Sequence, residues 1–353
     1  MKIVSIVGNR PQFIKAAPVA AALDGLCDHV LVHTGQHYDA ELSQVFFEEL
    51  GLRPAGHVIE SGSGTHAEQT ARMLLGLEPV MAEELPDAVL VYGDTNSTLA
   101  GGLVAAKLHM PVGHVEAGLR SFDRRMPEEL NRMVVDVLAD LRFCPSDTAV
   151  ANLAAEGITT GVHQVGDVMV DVARTFAPVA ARRSDALGRI GVEAGGYVIL
   201  TAHRPANTTP DAVPVLVEML EAVELPIVFP VHPRTRAALE RAGLWERANA
   251  TAHLTAPLGY LDFTALLMSA AVCLTDSGGV QKEAYLHSVP CITLRDTSEW
   301  VETIAAGWNR LVDLDPAAVT AALASATRPA EHPPLYGDGA AAARIAAVIT
   351  ADR

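Results

Sequence analysis

The feature that most constrains the fold is a repeated alternation of short apolar runs with segments of helical periodicity. The runs Lys2–Val7 and Ala88–Tyr92 each precede such a segment, and the alternation restarts at Tyr197–Leu200. Strands that alternate with helices form parallel sheets through right-handed crossovers. We therefore expect an α/β protein with two Rossmann-like domains and a central cleft, the first domain at residues 1–170 and the second at 171–335.

Length and charge narrow the classes of function. The 353 residues suffice for two domains of about 150 residues each, and the hydrophobic content of 50 % allows sizeable cores. A formal net charge of −16 argues against a nucleic-acid partner. An anionic small molecule stays open, because a local group of basic side chains binds phosphate even in an acidic protein.

Cysteine usage and the shortness of the apolar runs bear on location. The four cysteines are far apart and form no CxxC pair, which is typical of small buried side chains in a reducing compartment. The N-terminal apolar run is too short for a signal peptide, and no stretch approaches the roughly 18 apolar residues of a membrane span. We expect a cytoplasmic protein with no membrane partner.

Three acids stand where predicted elements end or begin. Asp94 and Glu116 each follow an apolar run typical of a buried parallel strand, and Glu128 follows Pro127 in the first turn of a predicted helix. Ligands of open α/β sheets bind at the carboxyl ends of the strands, so Asp94 and Glu116 are predicted to face one crevice. A purely structural role is also open, with Asp94 as a helix cap and Glu128 as a complement to a helix dipole.

A strand, a glycine turn and a helix near the N-terminus resemble the start of a phosphate-binding site. Gly8 follows the first strand, Arg10 lies at the turn, and Lys15 lies in the first turns of the helix. The motif is neither GxGxxG nor GxxxxGK[ST], which disfavours a dinucleotide site and a P-loop. It is also open that both basic residues are simply solvated.

A second phosphate site is predicted in the C-terminal half. Ser277, Gly278 and Gly279 lie between a predicted strand and a helix, where unpaired N–H groups favour phosphate. Glu283, one turn further on, suits the hydroxyl groups of a ribose. His203 follows another strand and is suited to stabilise a departing anion. A plain glycine turn with a surface glutamate, and a structural histidine, would fit the same pattern.

Carboxylates in one half and a diphosphate site in the other suit a nucleotide sugar. Glycosyl transfer and epimerisation of the sugar are the reaction classes that follow. Epimerisation by oxidation would need a nicotinamide site, and the chain has no GxGxxG. The remaining route is elimination, in which a carboxylate removes the proton on carbon 2 while the diphosphate leaves carbon 1. Re-addition then delivers a proton to the other face, and each proton-transfer group contributes about 10²–10⁴-fold.

Seven motifs point to a known family. They are GNRPQFIKAAP, VYGDTNSTLA, HVEAGLR, MPEELNR, HRPAN, TDSGGVQKEA and RDTSEW. In this order and spacing they resemble the non-hydrolysing UDP-N-acetylglucosamine 2-epimerases. The resemblance implies a GT-B-like fold whose last helix, in residues 336–353, crosses back onto the first domain. It also implies a homodimer, no metal or other cofactor, and interconversion of UDP-GlcNAc and UDP-ManNAc through 2-acetamidoglucal.

The resemblance assigns roles residue by residue. It makes Asp94, Glu116 and Glu128 the acid/base carboxylates and His203 the group beside the diphosphate. The implied UDP-sugar contacts are Arg10, Lys15, Phe263, Ser277, Gly278, Gly279 and Glu283. Some bacterial members are activated by a second UDP-GlcNAc between the domains. The residues that would line such a site here are Gln36, His37, Gln69, Arg204 and His232.

Two departures from the family pattern leave the substituents of the sugar open. Ala206 stands where the family often has Glu, and Trp300 stands where many members have Arg. The first motif and the sequence SEWVE resemble a branch that includes 2-epimerases of UDP-2,3-diacetamido-glucuronic acid, so this sugar is a second possible substrate. Three further activities stay open: a hydrolysing epimerase that releases UDP and ManNAc, a glycosyltransferase of the same fold and a nucleotide-sugar sensor.

Overall fold

Two parallel sheets form the framework of the chain. The computed structural model describes residues 1–36 and 47–351. The chain divides into two compact units, which we call the first unit (Met1–Arg174 with Tyr336–Arg353) and the second unit (Thr175–Leu335). The point of division lies inside a continuous helix, α6 (Val168–Arg183).

The first unit contains a seven-stranded sheet with the order β3-β2-β1-β4-β5-β6-β7. Its elements besides α6 are β1 (Lys2–Val7), α1 (Arg10–Leu23), β2 (Asp28–His33), β3 (His57–Val58), α2 (His66–Glu84), β4 (Ala88–Tyr92), α3 (Asn96–Lys107), β5 (Val112–Val115), α4 (Pro127–Leu138), β6 (Leu141–Cys144), α5 (Asp147–Ala155), β7 (Val162–Gln164) and α15 (Ala341–Thr350). The order of the strands reverses between β1 and β4, which is the switch point at which ligands of such sheets bind.

Local sequence explains why the elements beside this switch point form. The side chain of Asn9 caps α1 by accepting from the Gln12 N–H group at 3.3 Å, and a proline follows in the first turn. All five residues of β4 are buried, as expected for a central parallel strand. Gly101 lets α3 pack closely on the sheet, since a Cβ atom there would lie 2.7 Å from Ile6 Cδ1. These contacts fix the loops that follow β1 and β4.

The second unit contains a six-stranded parallel sheet with the order β10-β9-β8-β11-β12-β13. Its elements are α7 (Ala186–Ile190), β8 (Val198–Thr201), a 3₁₀ turn (Pro205–Thr208), α8 (Ala212–Ala222), β9 (Ile227–Pro230), α9 (Pro233–Arg241), α10 (Trp245–Thr251), β10 (His253–Thr255), α11 (Tyr260–Ser269), β11 (Val272–Thr275), α12 (Gly278–Leu286), β12 (Cys291–Thr293), α13 (Val301–Ala305), β13 (Asn309–Leu311) and α14 (Pro316–Ala324). The strand order reverses between β8 and β11, so this sheet has its own switch point.

The two sheets confirm the predicted α/β class. Helix α6 extends from Val168 to Arg183 and therefore runs across the domain boundary that was expected at residue 170. The three-residue strands β10 and β13 were not predicted, because runs this short carry no readable period. Most of the predicted helix Asp39–Leu50 lies outside the described residues. In the ranges that the structure describes, no helix has both the length and the apolar character needed to cross a bilayer.

The last helix belongs to the first unit. The N–H groups of Ala341 and Ala342, at the start of α15, donate to the Asp171 carboxylate at 3.2 and 3.0 Å. The Asp167 N–H group donates to the Tyr336 carbonyl oxygen at 2.9 Å. The chain thus returns, after the second unit, to the unit in which it began.

Two glycines between α5 and β7 allow a matched test of the backbone in the first unit. Gly157 and Gly161 both have positive φ, of +79° and +62°. A Cβ atom on Gly157 meets nothing within 4 Å, whereas one on Gly161 would overlap the Asp140 carbonyl oxygen. We expect Gly157→Ala to lower the free energy of unfolding by about 1–2 kcal/mol. Gly161→Ala should lower the free energy of unfolding by about 1–3 kcal/mol more than Gly157→Ala, because its new methyl group has no room. Urea unfolding of both variants measures the difference, and equal losses would contradict the packing seen here.

Candidate functional site

Glu116 lies at the end of β5 in an unfavourable backbone conformation. Its φ of +71° is in the left-handed region, which costs a side chain larger than glycine about 1–2 kcal/mol. Its buried carboxylate forms an ion pair with Lys15 Nζ of α1. A Cβ atom on Gly93 would lie 3.2 Å from both charged atoms of this pair, so the turn after β4 lies directly against it. Strain held at such a place is typical of functional sites.

Asp94 lies at the turn between β4 and α3 and pairs with α4. Its carboxylate forms an ion pair with Arg132, and its carbonyl oxygen accepts from Asn131 Nδ2 at 2.9 Å. Arg132 is held in turn by Glu129, whose Oε2 lies 3.1 Å from Nη1. Glu128 lies half-buried in the first turn of the same helix, and residues 1–36 and 47–351 supply no hydrogen-bond partner to its carboxylate. The structure therefore joins Asp94 directly to the helix that carries Glu128.

A buried charged network beneath these turns was not predicted from the sequence. His114 Nδ1 of β5 lies 2.7 Å from Asp136 Oδ1 of α4, and Arg120 Nη1 donates to Asp136 Oδ2 at 2.7 Å. Arg120 also donates two hydrogen bonds of 2.7 Å to Glu156. Burial alone would raise the pKa of Asp136, but contacts with His114 and Arg120 bring it below its ordinary value. The available signal was the presence of His and Arg within HVEAGLR, beside an otherwise apolar strand.

Asp276 organises the switch point of the second sheet, and the sequence reasoning missed its role. It follows β11, is fully buried, and accepts from the backbone N–H groups of His203 and Arg204 at 2.8 Å each. Asn207 Nδ2 donates to the same oxygen at 3.1 Å, and His203 Nδ1 lies 3.2 Å from the other. Burial would raise the pKa of Asp276, but contact with His203 and with the two amides lowers it below its ordinary value.

His203, Arg204 and His232 form one cluster at the carboxyl ends of β8 and β9. The rings of His203 and His232 lie with their centroids 5.2 Å apart and their planes inclined by 32°. Arg234 joins the two loops, because Nη1 donates to the His203 carbonyl oxygen at 3.1 Å and its N–H group donates to His232 Nδ1 at 3.1 Å. The family resemblance assigned His203 and His232 to two different sites, and the structure places their rings in contact.

The glycine-rich start of α12 is open on one side and packed on the other. Ser277 is the N-cap residue, and the first N–H groups of a helix have no intrahelical partner. A Cβ atom on Gly279 would meet nothing within 4 Å. A Cβ atom on Gly278 would lie 3.5 Å from Glu299 Oε2 and 3.6 Å from Trp300 Nε1. This is the geometry of an anion site at a helix N-terminus whose rear wall is the RDTSEW segment.

Two buried charged residues follow on α12. Lys282 Nζ lies 4.1 Å from the centroid of the Trp300 ring, a cation–π contact that contributes about 2 kcal/mol when both groups are desolvated. Burial raises the pKa of the Tyr260 phenol well above its ordinary value, and the charge of Glu283 raises it further. Phe263, on the same helix as Tyr260, packs half-buried against the second unit's core. Lys282 was not among the predicted site residues.

The remaining predicted residues lie in the first unit. Arg10 is half-buried at the first position of α1. Gln69 Nε2 donates to the Gln36 carbonyl oxygen at 3.2 Å, so these two are neighbours. His37 lies outside the described residues. In the part of the chain that the structure describes, no group of three or more His, Cys, Asp or Glu residues is placed to hold a metal ion.

Several known proteins are similar to this chain. The sequence model of the UDP-N-acetylglucosamine 2-epimerase family matches residues 21–350. A UDP-N-acetylglucosamine 2-epimerase homolog of Methanococcus maripaludis is 46 % identical over 88 % of each chain. The UDP-2,3-diacetamido-2,3-dideoxy-D-glucuronate 2-epimerase of Pseudomonas aeruginosa is 44 % identical over 98 % of each chain. The crystal structure of Methanocaldococcus jannaschii UDP-GlcNAc 2-epimerase, with UDP-GlcNAc and UDP, is 39 % identical with a TM-score of 0.93 over 100 % of each chain.

The lowered pKa of Asp276 predicts a pH-dependent contribution to stability. Its ionised form is favoured in the folded state, so its contribution is complete above the ordinary pKa of 3.8 and is lost as the pH falls through the lower folded-state value. At pH 7 we expect Asp276→Asn to lower the free energy of unfolding by about 1–3 kcal/mol. The difference from the wild type should shrink below pH 4, which is about the ordinary pKa of an aspartate.

Urea unfolding at about pH 7, 5 and 3.5 measures this pH dependence. These values lie on both sides of the ordinary pKa of an aspartate, which is about 4. Asp211→Asn is the control, since Asp211 is exposed and makes no side-chain capping bond. The control should match the wild type throughout. If Asp276→Asn lowers the free energy of unfolding by the same amount at all three pH values, the assignment of the ionised form to Asp276 is wrong.

Proposed function

The chain belongs to the UDP-N-acetylglucosamine 2-epimerase family, and we propose that it interconverts UDP-GlcNAc and UDP-ManNAc without hydrolysing either. The likeness to the Methanocaldococcus jannaschii enzyme, solved with UDP-GlcNAc and UDP, supports this substrate. The observation that carries the proposal is the pairing of Asp94 with Arg132 and of Glu116 with Lys15 at the carboxyl ends of neighbouring strands. Two fixed carboxylates beside two cations suit proton transfer next to an anionic leaving group.

The proposed reaction is an elimination followed by a re-addition. One carboxylate removes the proton on carbon 2 of the sugar, the bond between carbon 1 and the UDP oxygen breaks, and 2-acetamidoglucal forms. UDP then adds back to carbon 1 while carbon 2 receives a proton on its other face. The groups proposed for the proton transfers are Asp94, Glu116 and Glu128, which follow β4, follow β5 and open α4, and so come from three backbone segments.

The second unit is proposed to hold the nucleotide diphosphate. The first N–H groups of α12, at Gly278 and Gly279, suit a phosphate, and His203 is held in place by Asp276 to stabilise the departing UDP. The further residues proposed as UDP-sugar contacts are Arg10, Lys15, Phe263, Ser277 and Glu283. We also propose a cytoplasmic location, supported by three free cysteines that are all buried, Cys144, Cys273 and Cys291.

Neutral variants of the three acids test the proposed reaction. Asp94→Asn, Glu116→Gln and Glu128→Gln should each lower kcat by at least about 10²-fold, since each removes a proton-transfer group. Proton NMR in heavy water follows both the loss of the carbon-2 proton signal of UDP-GlcNAc and the appearance of a ManNAc-type anomeric signal. Calorimetry with UDP should show nearly unchanged binding in all three variants.

Glu83→Gln is the matched control, because Glu83 is exposed near the far end of α2. It should retain the wild-type rate. Wild-type turnover in the three acid variants would end the proposal. Free UDP accumulating without UDP-ManNAc would instead indicate a hydrolysing epimerase.

A second substrate is supported by one relative. The Pseudomonas aeruginosa 2-epimerase of UDP-2,3-diacetamido-2,3-dideoxy-D-glucuronate matches 98 % of this chain, whereas the Methanococcus maripaludis homolog matches 88 %. Ala206 and Trp300 depart from the common pattern, and Trp300 lies beside the start of α12. The same NMR assay with both UDP-sugars compares kcat/KM directly. A higher value for the diacetamido-uronate would replace UDP-GlcNAc as the substrate and leave the reaction type unchanged.

We further propose a homodimer formed through the first unit. An apolar groove of ≈ 430 Å³ lies among α2, α3 and α4. Beside it Leu130, Val134 and Val137 are 45 %, 43 % and 67 % exposed on one face of α4. Contiguous exposed apolar surface of this kind is typical of interaction sites, and a two-fold contact between identical patches closes a dimer.

Charges on this face should separate the subunits. The double variant Val134→Asp, Val137→Asp should sediment as a monomer at concentrations where the wild type is a dimer, because burying two carboxylates at the contact is unfavourable. Leu225→Asp, at a 41 % exposed leucine of the second unit, is the control and should remain dimeric. A wild-type protein that is monomeric throughout, or a double variant that stays dimeric, would reject this face as the interface.

A further inference from the structure

His114 joins two elements of the first unit through its two ring nitrogens. The residue lies on β5 and is fully buried. Nδ1 lies 2.7 Å from Asp136 Oδ1 on α4, and Nε2 lies 2.7 Å from the Gly93 carbonyl oxygen. The single ring thus connects α4 to the turn that carries Asp94.

Both nitrogens of this ring face hydrogen-bond acceptors. The Gly93 carbonyl oxygen can only accept. Asp136 is ionised, because its pKa is lowered and its other oxygen already accepts from Arg120 Nη1 at 2.7 Å. Each ring nitrogen of His114 therefore lies at hydrogen-bond distance from an acceptor on a different element.

The network holds two turns at once. The Gly93 N–H group donates to the Val115 carbonyl oxygen at 3.0 Å, so Gly93 is fixed on both sides of its α carbon, by β5 and by the His114 ring. Asp136 Oδ2 also accepts from the Gly118 N–H group at 3.1 Å. Gly118 lies two residues after Glu116, and Asp94 follows Gly93. The His114–Asp136 pair therefore contacts both loops that carry the proposed carboxylates, at Gly93 and at Gly118.

From this geometry we propose that His114 is a positioning residue for the epimerisation. Its Nε2 contact with the Gly93 carbonyl oxygen fixes the backbone of Asp94, and its Nδ1 contact with Asp136 supports the carboxylate that binds the turn after Glu116. This role rests on the proposed function of those two acids. A merely structural role for His114 predicts only a loss of stability when the ring is removed.

Two substitutions separate the two bonds. An Asn side-chain nitrogen is as many bonds from the backbone as Nδ1, so His114→Asn keeps a donor for Asp136 and leaves the Gly93 carbonyl oxygen without one. A Gln nitrogen corresponds to Nε2, so His114→Gln keeps the donor to Gly93 and loses the contact with Asp136. Both variants lose a buried ring and one of its two hydrogen bonds and should melt at similarly reduced temperatures.

The two variants should differ in turnover. A misplacement of catalytic groups by about 1 Å costs about 10²-fold in rate, so His114→Asn should lower kcat by about 10²-fold at unchanged KM. His114→Gln should lower kcat by less than about 10-fold, since Asp94 keeps its position and Asp136 still accepts from Arg120 and from the Gly118 N–H group after Glu116. Deuterium uptake of a peptide covering residues 93–98 should rise in His114→Asn and stay near wild type in His114→Gln.

Each outcome decides the proposal. If the two variants lose kcat equally, in proportion to the fall in their melting temperatures, the proposal is wrong. It is also wrong if both variants keep the wild-type kcat. Unchanged deuterium uptake in His114→Asn would overturn it independently of activity. If the wild type itself fails to epimerise UDP-GlcNAc, the proposed function fails, whereas the difference in deuterium uptake still tests whether His114 holds the Gly93 turn.

Discussion

A carboxylate that is buried beside the carboxyl ends of parallel strands is stable only if hydrogen-bond donors and cations are held next to it. Removing an ionised group from water costs several kcal/mol unless it is paired and hydrogen-bonded. Each unit meets this constraint with one fully buried aspartate, Asp136 in the first and Asp276 in the second. Asp136 accepts from the Gly118 N–H group, Asp276 accepts from those of His203 and Arg204, and each aspartate faces a histidine, His114 or His203. The two sheets thus hold their switch-point loops by the same physical means.

The first unit adds strain to this arrangement. Glu116 has positive φ, and its N–H group and that of Ala117 both donate to the Phe143 carbonyl oxygen at 3.1 Å. The surrounding bonds therefore impose the conformation and turn the carboxylate towards Lys15. Asp94, which follows β4, forms an ion pair with Arg132. Carboxylates that project from separate segments suit a reaction in which protons leave and return on opposite faces of one carbon.

The second unit shows how a departure from the family pattern is accommodated. Trp300 is 4 % exposed and lies beside Gly278, where many family members are expected to have Arg. A buried cation is nevertheless present, because Lys282 lies over the Trp300 ring. Arg295 and Glu299, which pair at 3.1 Å, complete this wall. The buried wall behind Gly278 thus keeps a cation although residue 300 is a tryptophan.

The sequence by itself determined the fold class and the places along the chain where the candidate residues stand. Apolar runs such as β1 and β4, and caps such as Asn9 at α1, are local signals, and Arg10 and Asp94 follow such signals. Only the tertiary structure decided which side chains meet. It paired Lys15 with Glu116 and brought His203 into contact with His232. The reason is physical: partners far apart in the chain are chosen by strand order and register, which no local pattern encodes, whereas strands and helix caps depend on neighbouring residues alone.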